Sequence, residues 1–273
     1  MKNKIIVIGK NGLLGSNLNS HLKHKNFVSN LGYKEFIKKD KKFVNKFDYI
    51  INSTSNFKFT NNKYQKKNDF DLNIANKIQK LNIKLIMLSS RKVYKIGINL
   101  KESSALKPKD NYSINKLISE KNLQKILNDK ILILRISNII GLNKKKSKKL
   151  HKTFFDIFYE NIKKGLIFNN QKEYKDFISI DKFCEIVEKL IKINAVGVFN
   201  ISIGKKVFLK DIVEWLTLYN KKNLTLIKID KKKNNDSFTL NNNKLMNTIK
   251  IKNSIQDLKK YCIKLSKELF KND

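Results

Sequence analysis

Apolar positions in the first half of the chain alternate between two kinds of run. Short, strand-like stretches occur at residues 5–8, 27–31, 49–51, 85–88 and 131–136, whereas residues 13–22, 70–78 and 112–126 space their apolar positions as helices do. The alternation predicts βαβ units, and so an α/β fold built on a doubly wound parallel sheet. Strands of such a sheet are covered on both faces, which suits continuous apolar runs. Ligands then bind beyond the carboxyl ends of the strands.

The rhythm changes after Gly141. Residues 143–149 read as a charged connection, followed by a helix at 154–162, a short strand at 166–168 and an apolar element at 177–180. A helix at 183–193, a strand at 198–201, a helix at 209–218 and a C-terminal helix near 258–269 complete the pattern, which reads as a smaller lid. The lysine- and asparagine-rich tract at 231–243 is expected to be a loop.

With 273 residues, 41% of them hydrophobic, the chain is long enough to bury a full core. Its formal charge of +36 raises the question of a nucleic-acid partner, yet of 59 basic residues only Arg91 and Arg135 are arginine. Arginine is the residue favoured for bidentate phosphate and base-edge contacts, so the charge is read as a solvated lysine coat, and no specific nucleic-acid partner is expected. Cys184 and Cys262 lie in apolar helical contexts without metal-ligand spacing, so reduced thiols and no metal are expected. Lys2 and Lys4 precede only four apolar residues, and no later run reaches membrane-crossing length. A cytoplasmic protein with no membrane partner is expected.

Three of the nine glycines, Gly9, Gly12 and Gly15, fall between the apolar run at 5–8 and the helical pattern at 13–22. A strand, a glycine turn and a helix N-terminus make a cradle for a dinucleotide pyrophosphate, because a Cβ there would block the turn and hold the phosphates off the backbone. Asn11, Leu13 and Leu14 share that turn. Tyr112 and Lys116, four residues apart, lie on one helix face. Tyrosine ordinarily loses its proton near pH 10, so it serves as acid or base at neutral pH only beside a cation, here Lys116 and an oxidised nicotinamide. By itself the pair is a spacing that a lysine-rich chain produces often. Ser90 follows the run at 85–88 and precedes Tyr112 by 22 residues. Taken alone it suits a turn or cap, but at the end of a parallel strand it faces the same cleft as the glycine turn.

Six motifs follow one another along the chain: Gly9-x-x-Gly12-x-x-Gly15; Ser89-Ser90-x-x-Val93-Tyr94; Tyr112-x-x-x-Lys116; Leu134-Arg135-x-x-Asn138-x-x-Gly141; Asp176-Phe177-Ile178-x-x-Asp181; and Gly197-x-Phe199-Asn200-Ile201. In this order they resemble the extended short-chain dehydrogenase/reductase family of NAD(P)-dependent nucleotide-sugar epimerases, dehydratases and ketoreductases, over nearly the whole chain. The resemblance implies a Rossmann domain over residues 1–142, to which 177–201 return, and a smaller substrate-binding domain from 143–176 and 202–273. It implies Tyr112 as general acid/base, Lys116 as its cationic partner and ribose contact, and Ser90 as donor to the reacting carbonyl. Gly9, Asn11, Gly12, Leu13, Leu14, Gly15, Asn52, Ser53 and Thr54 would line the cofactor with Tyr112 and Lys116. Arg91, Asn138 and Lys175 would face a nucleotide-sugar substrate, and Asn73 matches a frequent family asparagine. A homodimer is left open.

Departures from the family pattern narrow the reaction. Lys95 stands where a glycine is common, and 37 positions from Gly15 to Asn52 leave a shortened region around the second and third strands. The second strand ends at Gly32-Tyr33-Lys34 without an acid for a ribose diol, so Lys34 tilts the reading toward NADP, while Glu35 keeps NAD open. Arg91-Lys92 occupies the place where the family's dehydratases carry an Asp-Glu pair, which argues against a 4,6-dehydratase. A 4-ketoreductase is the preferred expectation, with a 4-epimerase retaining its NAD as the alternative. A binding protein that senses NAD(P) would have no reason to keep Ser90, Tyr112 and Lys116 together, and an anion-binding surface module explains the charge alone.

Overall fold

The computed structural model describes residues 2–143, 154–169, 173–221, 224–228 and 237–271. From the N-terminus run β1 (Lys4–Ile8), α1 (Leu13–Leu22), β2 (Phe27–Leu31), α2 (Tyr33–Lys38), α3 (Lys41–Val44), β3 (Tyr49–Asn52), α4 (Phe57–Asn61), α5 (Phe70–Ile78) and β4 (Lys84–Ser90). Then come α6 (Asn111–Leu127), β5 (Ile131–Ile136), β6 (Asn138–Ile140), α7 (Phe154–Lys163), β7 (Leu166–Asn169), β8 (Tyr174–Lys175), β9 (Phe177–Ser179), α8 (Ile180–Lys192) and β10 (Gly197–Ile201). The chain closes with β11 (Val207–Phe208), α9 (Leu209–Thr217), β12 (Thr225–Lys228), α10 (Asn243–Ile249) and α11 (Ile255–Leu269).

Six strands form one parallel sheet in the order β10-β5-β4-β3-β1-β2. The period of two along each strand divides its side chains between two cores. Ile5, Val7, Ile51, Ile86 and Leu134 face α1 and α8. Ile6, Ile8, Ile50, Leu85, Met87 and Ile133 face α5 and α6. Burial on both sides explains the continuous apolar runs, and the α/β doubly wound fold read from the sequence is the one observed. The usual order of such sheets, 3-2-1-4-5-6, places a further strand outside the second. Here β2 is the edge, because the two short helices α2 and α3 carry the chain directly back to β3.

A smaller apolar cluster around Phe155, Phe177, Ile212, Leu216, Leu258 and Leu265 lies beyond the main sheet, with α9 packed on α11. Residues 144–149 of the charged connection lie outside the described residues, as do 231–236 of the tract expected to be a loop. The rest of that tract is a loop, as expected, up to the start of α10 at Asn243, but part of it is buried. Phe238 and Leu240 are fully buried against Val93 and Tyr94, and the backbone of residues 239–241 pairs with Gly97 and Leu100. Three residues amid lysine and asparagine are too few to show periodicity, yet Phe238 supplies enough apolar area to be drawn inside. Cys184 and Cys262 are buried and are not joined in a disulfide.

Candidate functional site

Each glycine of the first turn answers a different steric demand. Gly9 has φ of +117°, and a Cβ on it would lie 2.2 Å from Ser53 Oγ. A Cβ on Gly15 would lie 2.1 Å from the Gly9 carbonyl oxygen, so α1 approaches β1 closely only with glycine there. A Cβ on Gly12 meets one atom within 4 Å, the Gly9 oxygen at 3.8 Å, leaving open space over the turn. Gly12 is also the N-cap of α1, with neither a side-chain cap nor an acid in the first turn. Open space above uncapped helix amides fits a dinucleotide pyrophosphate. Leu13 and Leu14 open that helix, and Asn11 accepts a hydrogen bond at its carbonyl from Asn143 Nδ2 at 3.1 Å.

Ser53 buttresses the turn from below, donating its hydroxyl to the Ile8 carbonyl at 2.7 Å. Asn52, at the end of β3, accepts at Oδ1 from the Thr54 amide and hydroxyl, at 3.1 and 2.6 Å. Its Nδ2 donates to Asp71 Oδ1 at 2.7 Å. These side chains are committed to the protein, which leaves their backbone as the surface for a cofactor.

Asp71 continues the chain of contacts to α6, accepting at Oδ2 from Lys116 Nζ at 3.1 Å. The two side chains are 4% and 6% exposed. Burial works against the Lys116 charge, but Asp71, Tyr112 and Asp69 outweigh it and hold the ammonium above the ordinary lysine value. Tyr112, one turn before Lys116, is half-buried, and α6 begins beneath it in a capping box between Asp110 and Ser113. Ser90 closes β4, its hydroxyl accepting from the Lys92 amide at 3.2 Å, and α6 packs against both β4 and the turn that follows it. The glycine turn, Asn52, Asp71, Lys116, Tyr112 and Ser90 therefore share the region at the carboxyl ends of β1, β3 and β4.

Other expected site residues have mixed placements. Arg91 is 9% exposed, with its guanidinium 3.8 Å from the centre of the Phe238 ring, and Lys92 pairs with Asp110 at 3.0 Å. Asn138 donates through Nδ2 to the Asp176 carbonyl at 3.3 Å, and Lys175 pairs with Glu173 at 2.9 Å. Lys34 is exposed on α2. Glu35 reaches back to accept from the Gly32 amide at 2.8 Å and pairs with Lys10 of the glycine turn at 2.5 Å, so a carboxylate does stand at the end of β2. Lys10 and the Gly32 amide hold that carboxyl below its usual range. Asn73 donates to the Tyr33 hydroxyl at 3.0 Å, and Tyr33 stacks on Phe70.

Several motif residues prove to be scaffolding. Arg135 pairs with Glu120 at 2.7 Å and donates to the Tyr94 hydroxyl at 3.0 Å. Tyr94 donates to Asn200 Oδ1 at 2.8 Å, and Glu120 also accepts from Ser89. This buried network ties α6, β4, β5 and β10 together under the site. Asp176, fully buried, accepts from the Leu240 and Gly204 amides, and burial pushes its carboxyl up to about 7. Asp71 and Asp69 are the residues that sequence reasoning missed. Acids in a helical pattern read as solvent-facing, and the partners that bury them are 45 and 50 positions away.

Among the described residues no group of three or more His, Cys, Asp or Glu is arranged to hold a metal, and no helix is long and apolar enough to cross a membrane. The model of the NAD dependent epimerase/dehydratase family matches residues 5–202. A sequence comparison with curated proteins finds no match. Among solved structures, the chain is similar to a UDP-N-acetylglucosamine 4-epimerase from Methanobrevibacter ruminantium, with a TM-score of 0.83 and 18% identity over 100% of both chains. A dTDP-4-dehydrorhamnose reductase from Clostridium acetobutylicum gives 0.74 and 17%, over 94% of this chain and 98% of that one. A dTDP-glucose 4,6-dehydratase from Bacillus anthracis in complex with NAD gives 0.75 and 16%, over 99% and 97%.

Proposed function

The chain belongs to the NAD dependent epimerase/dehydratase family, and from that premise we propose that it is an oxidoreductase that reduces a keto group on a nucleotide-linked sugar. The observation that carries the reading is the convergence of an open glycine cradle, Ser90 and the Tyr112–Lys116 pair at one end of the sheet. A bound nicotinamide supplies the hydride. Ser90 donates its hydroxyl to the keto oxygen and stabilises the charge that develops there. Tyr112 gives the proton that completes the alcohol, and the Lys116 ammonium stabilises the phenolate left behind.

The pair after Ser90 supports reduction over dehydration. Arg91 is stacked on Phe238 and Lys92 is paired with Asp110, so neither resembles an acid/base pair poised at neighbouring sugar carbons. For the cofactor, Glu35 favours NAD. Its carboxylate lies beside Gly32 at the end of β2, where a ribose diol would find an acceptor and a 2′-phosphate would be repelled. Lys34, exposed on α2, is the feature that favours NADP.

The test is single-turnover oxidation of NADH and NADPH with a panel of 4-keto nucleotide sugars, run beside epimerisation of the matching 4-hydroxy sugars. Tyr112→Phe keeps the ring and removes the proton, so turnover should fall by roughly 10² to 10⁴-fold while the dinucleotide still binds. Near-parental turnover in that variant overturns the mechanism. Epimerisation without net cofactor consumption replaces the reductase with a 4-epimerase.

A further inference from the structure

Lys116 does not stand alone beside Tyr112; its ammonium is held by a carboxylate from another helix. An ammonium has three donors and no acceptor. One of the three is spent on Asp71 Oδ2 at 3.1 Å, which fixes the direction of the other two. Asp71 is itself fixed by Asn52 Nδ2 at 2.7 Å, so the position of Lys116 is set from the end of β3 as well as from α6. A buried ammonium without a counter-charge gives up its proton. We propose that Asp71 is a positioning residue for Lys116, anchoring its ammonium at the end of β3 and supplying the counter-charge it needs while Tyr112 exchanges its proton. The proposal rests on the reading above, in which Tyr112 and Lys116 act on substrate and cofactor.

The other groups facing this pair do not substitute for Asp71. Tyr112 lies on α6, Tyr33 approaches from α2, and Tyr64 donates to Asp69 from the loop before α5. Asp69 Oδ1 accepts from the Leu72 amide and the Ser119 hydroxyl, and its Oδ2 accepts from Tyr64, so both of its oxygens are engaged away from Lys116. Burial and the neighbouring Asp71 also raise the Asp69 carboxyl above its usual range.

The experiment compares the full-length parent with Asp71→Asn, Asp71→Glu and Lys116→Met. It measures kcat and kcat/KM against pH, and NAD affinity of the substrate-free protein by calorimetry across the same range. Asp71 raises the Lys116 value, so removing its charge lets the cation be lost at lower pH. In Asp71→Asn the alkaline limb of kcat/KM should move down by roughly one pH unit or more. NAD affinity, which requires the ammonium near the ribose, should weaken along the same limb. Asp71→Glu should keep the parental limb while kcat falls by about 10 to 100-fold, because the charge is retained and the geometry is not. An Asp71→Asn variant with the parental limb and parental NAD affinity, altered in thermal stability alone, overturns the proposal. Should Asp71→Asn fail to fold, Asp71→Glu decides the matter, since parental kcat and affinity there overturn it equally. Lys116→Met separates the two levels of argument: if it leaves turnover intact, the catalytic reading itself fails, whereas loss of turnover with an unmoved limb in Asp71→Asn removes Asp71 alone.

Discussion

Gly12 and Gly15 lie three residues apart in one turn, yet the structure assigns them opposite consequences when a methyl group is added. At Gly15 the new Cβ would sit 2.1 Å from the Gly9 oxygen and 2.5 Å from Ser53 Oγ. Ordinary contact begins near 3.4 Å, so α1 would have to withdraw from β1 by about an ångström, against a core in which Leu18 and Leu22 are fully buried. Overpacking of this kind costs about 1–3 kcal/mol. At Gly12 the nearest atom is 3.8 Å away and φ is −82°, so alanine or valine fits the fold and stability should change by about 0.5 kcal/mol or less. The same bulk occupies the space over the helix amides, and Gly12→Val should weaken dinucleotide binding by about 100-fold, or about 2.7 kcal/mol. Urea denaturation and NAD(P)H calorimetry on Gly12→Ala, Gly12→Val and Gly15→Ala separate the two effects. Parental affinity in a folded Gly12→Val refutes the placement of the pyrophosphate, and parental stability in Gly15→Ala refutes the packing argument.

Three further outcomes follow from the buried and capping charges. Lys116→Met strands the Asp71 carboxylate and should cost about 3–5 kcal/mol in urea denaturation, much of it restored in the Lys116→Met, Asp71→Asn double variant; additive losses would deny the coupling. Glu35→Gln should weaken NAD binding and narrow the gap to NADP, and unchanged affinities by calorimetry would remove Glu35 from cofactor choice. Asp176 has a folded value raised by burial to about 7, so its contribution to stability is full below the unfolded carboxyl range and is lost as pH rises toward and through 7. Asp176→Asn should flatten that part of the stability profile, and an unaltered slope would refute the assignment.

What the sequence reveals depends on how local the deciding interaction is. Residues 13–22, 27–31, 70–78 and 131–136 carry their own periodicity and end at turn residues, and they coincide with α1, β2, α5 and β5. The helix read at 183–193 begins three residues earlier, because Ser179 caps it through the Lys182 amide and draws Ile180 and Asp181 into the first turn. The helices α2 and α3, six and four residues long, are too short to show a period. The glycine turn, Ser90 and the Tyr112–Lys116 pair are legible as candidates because each belongs to a short motif with a fixed spacing. Asp71 is not, since its meaning depends on Asn52 and Lys116 arriving from β3 and α6. The placement of Arg91 likewise depends on Phe238, 147 positions away.

The shortened route from β2 to β3 leaves the sheet with an unguarded margin. One side of β2 is hydrogen-bonded to β1, and among the described residues no strand lies on the other. A row of free amides and carbonyls invites a strand from another molecule, and Phe27, 62% exposed, offers that visitor an apolar handle. Two features oppose it. The margin is five residues long, so a visiting strand would gain only a short ladder. Any second copy also carries a formal charge of +36, so approach is resisted by long-range repulsion that salt screens. Colloidal behaviour should thus depend on ionic strength more steeply than the fold does, with the repulsion between copies weakening as salt is raised while the core stays intact.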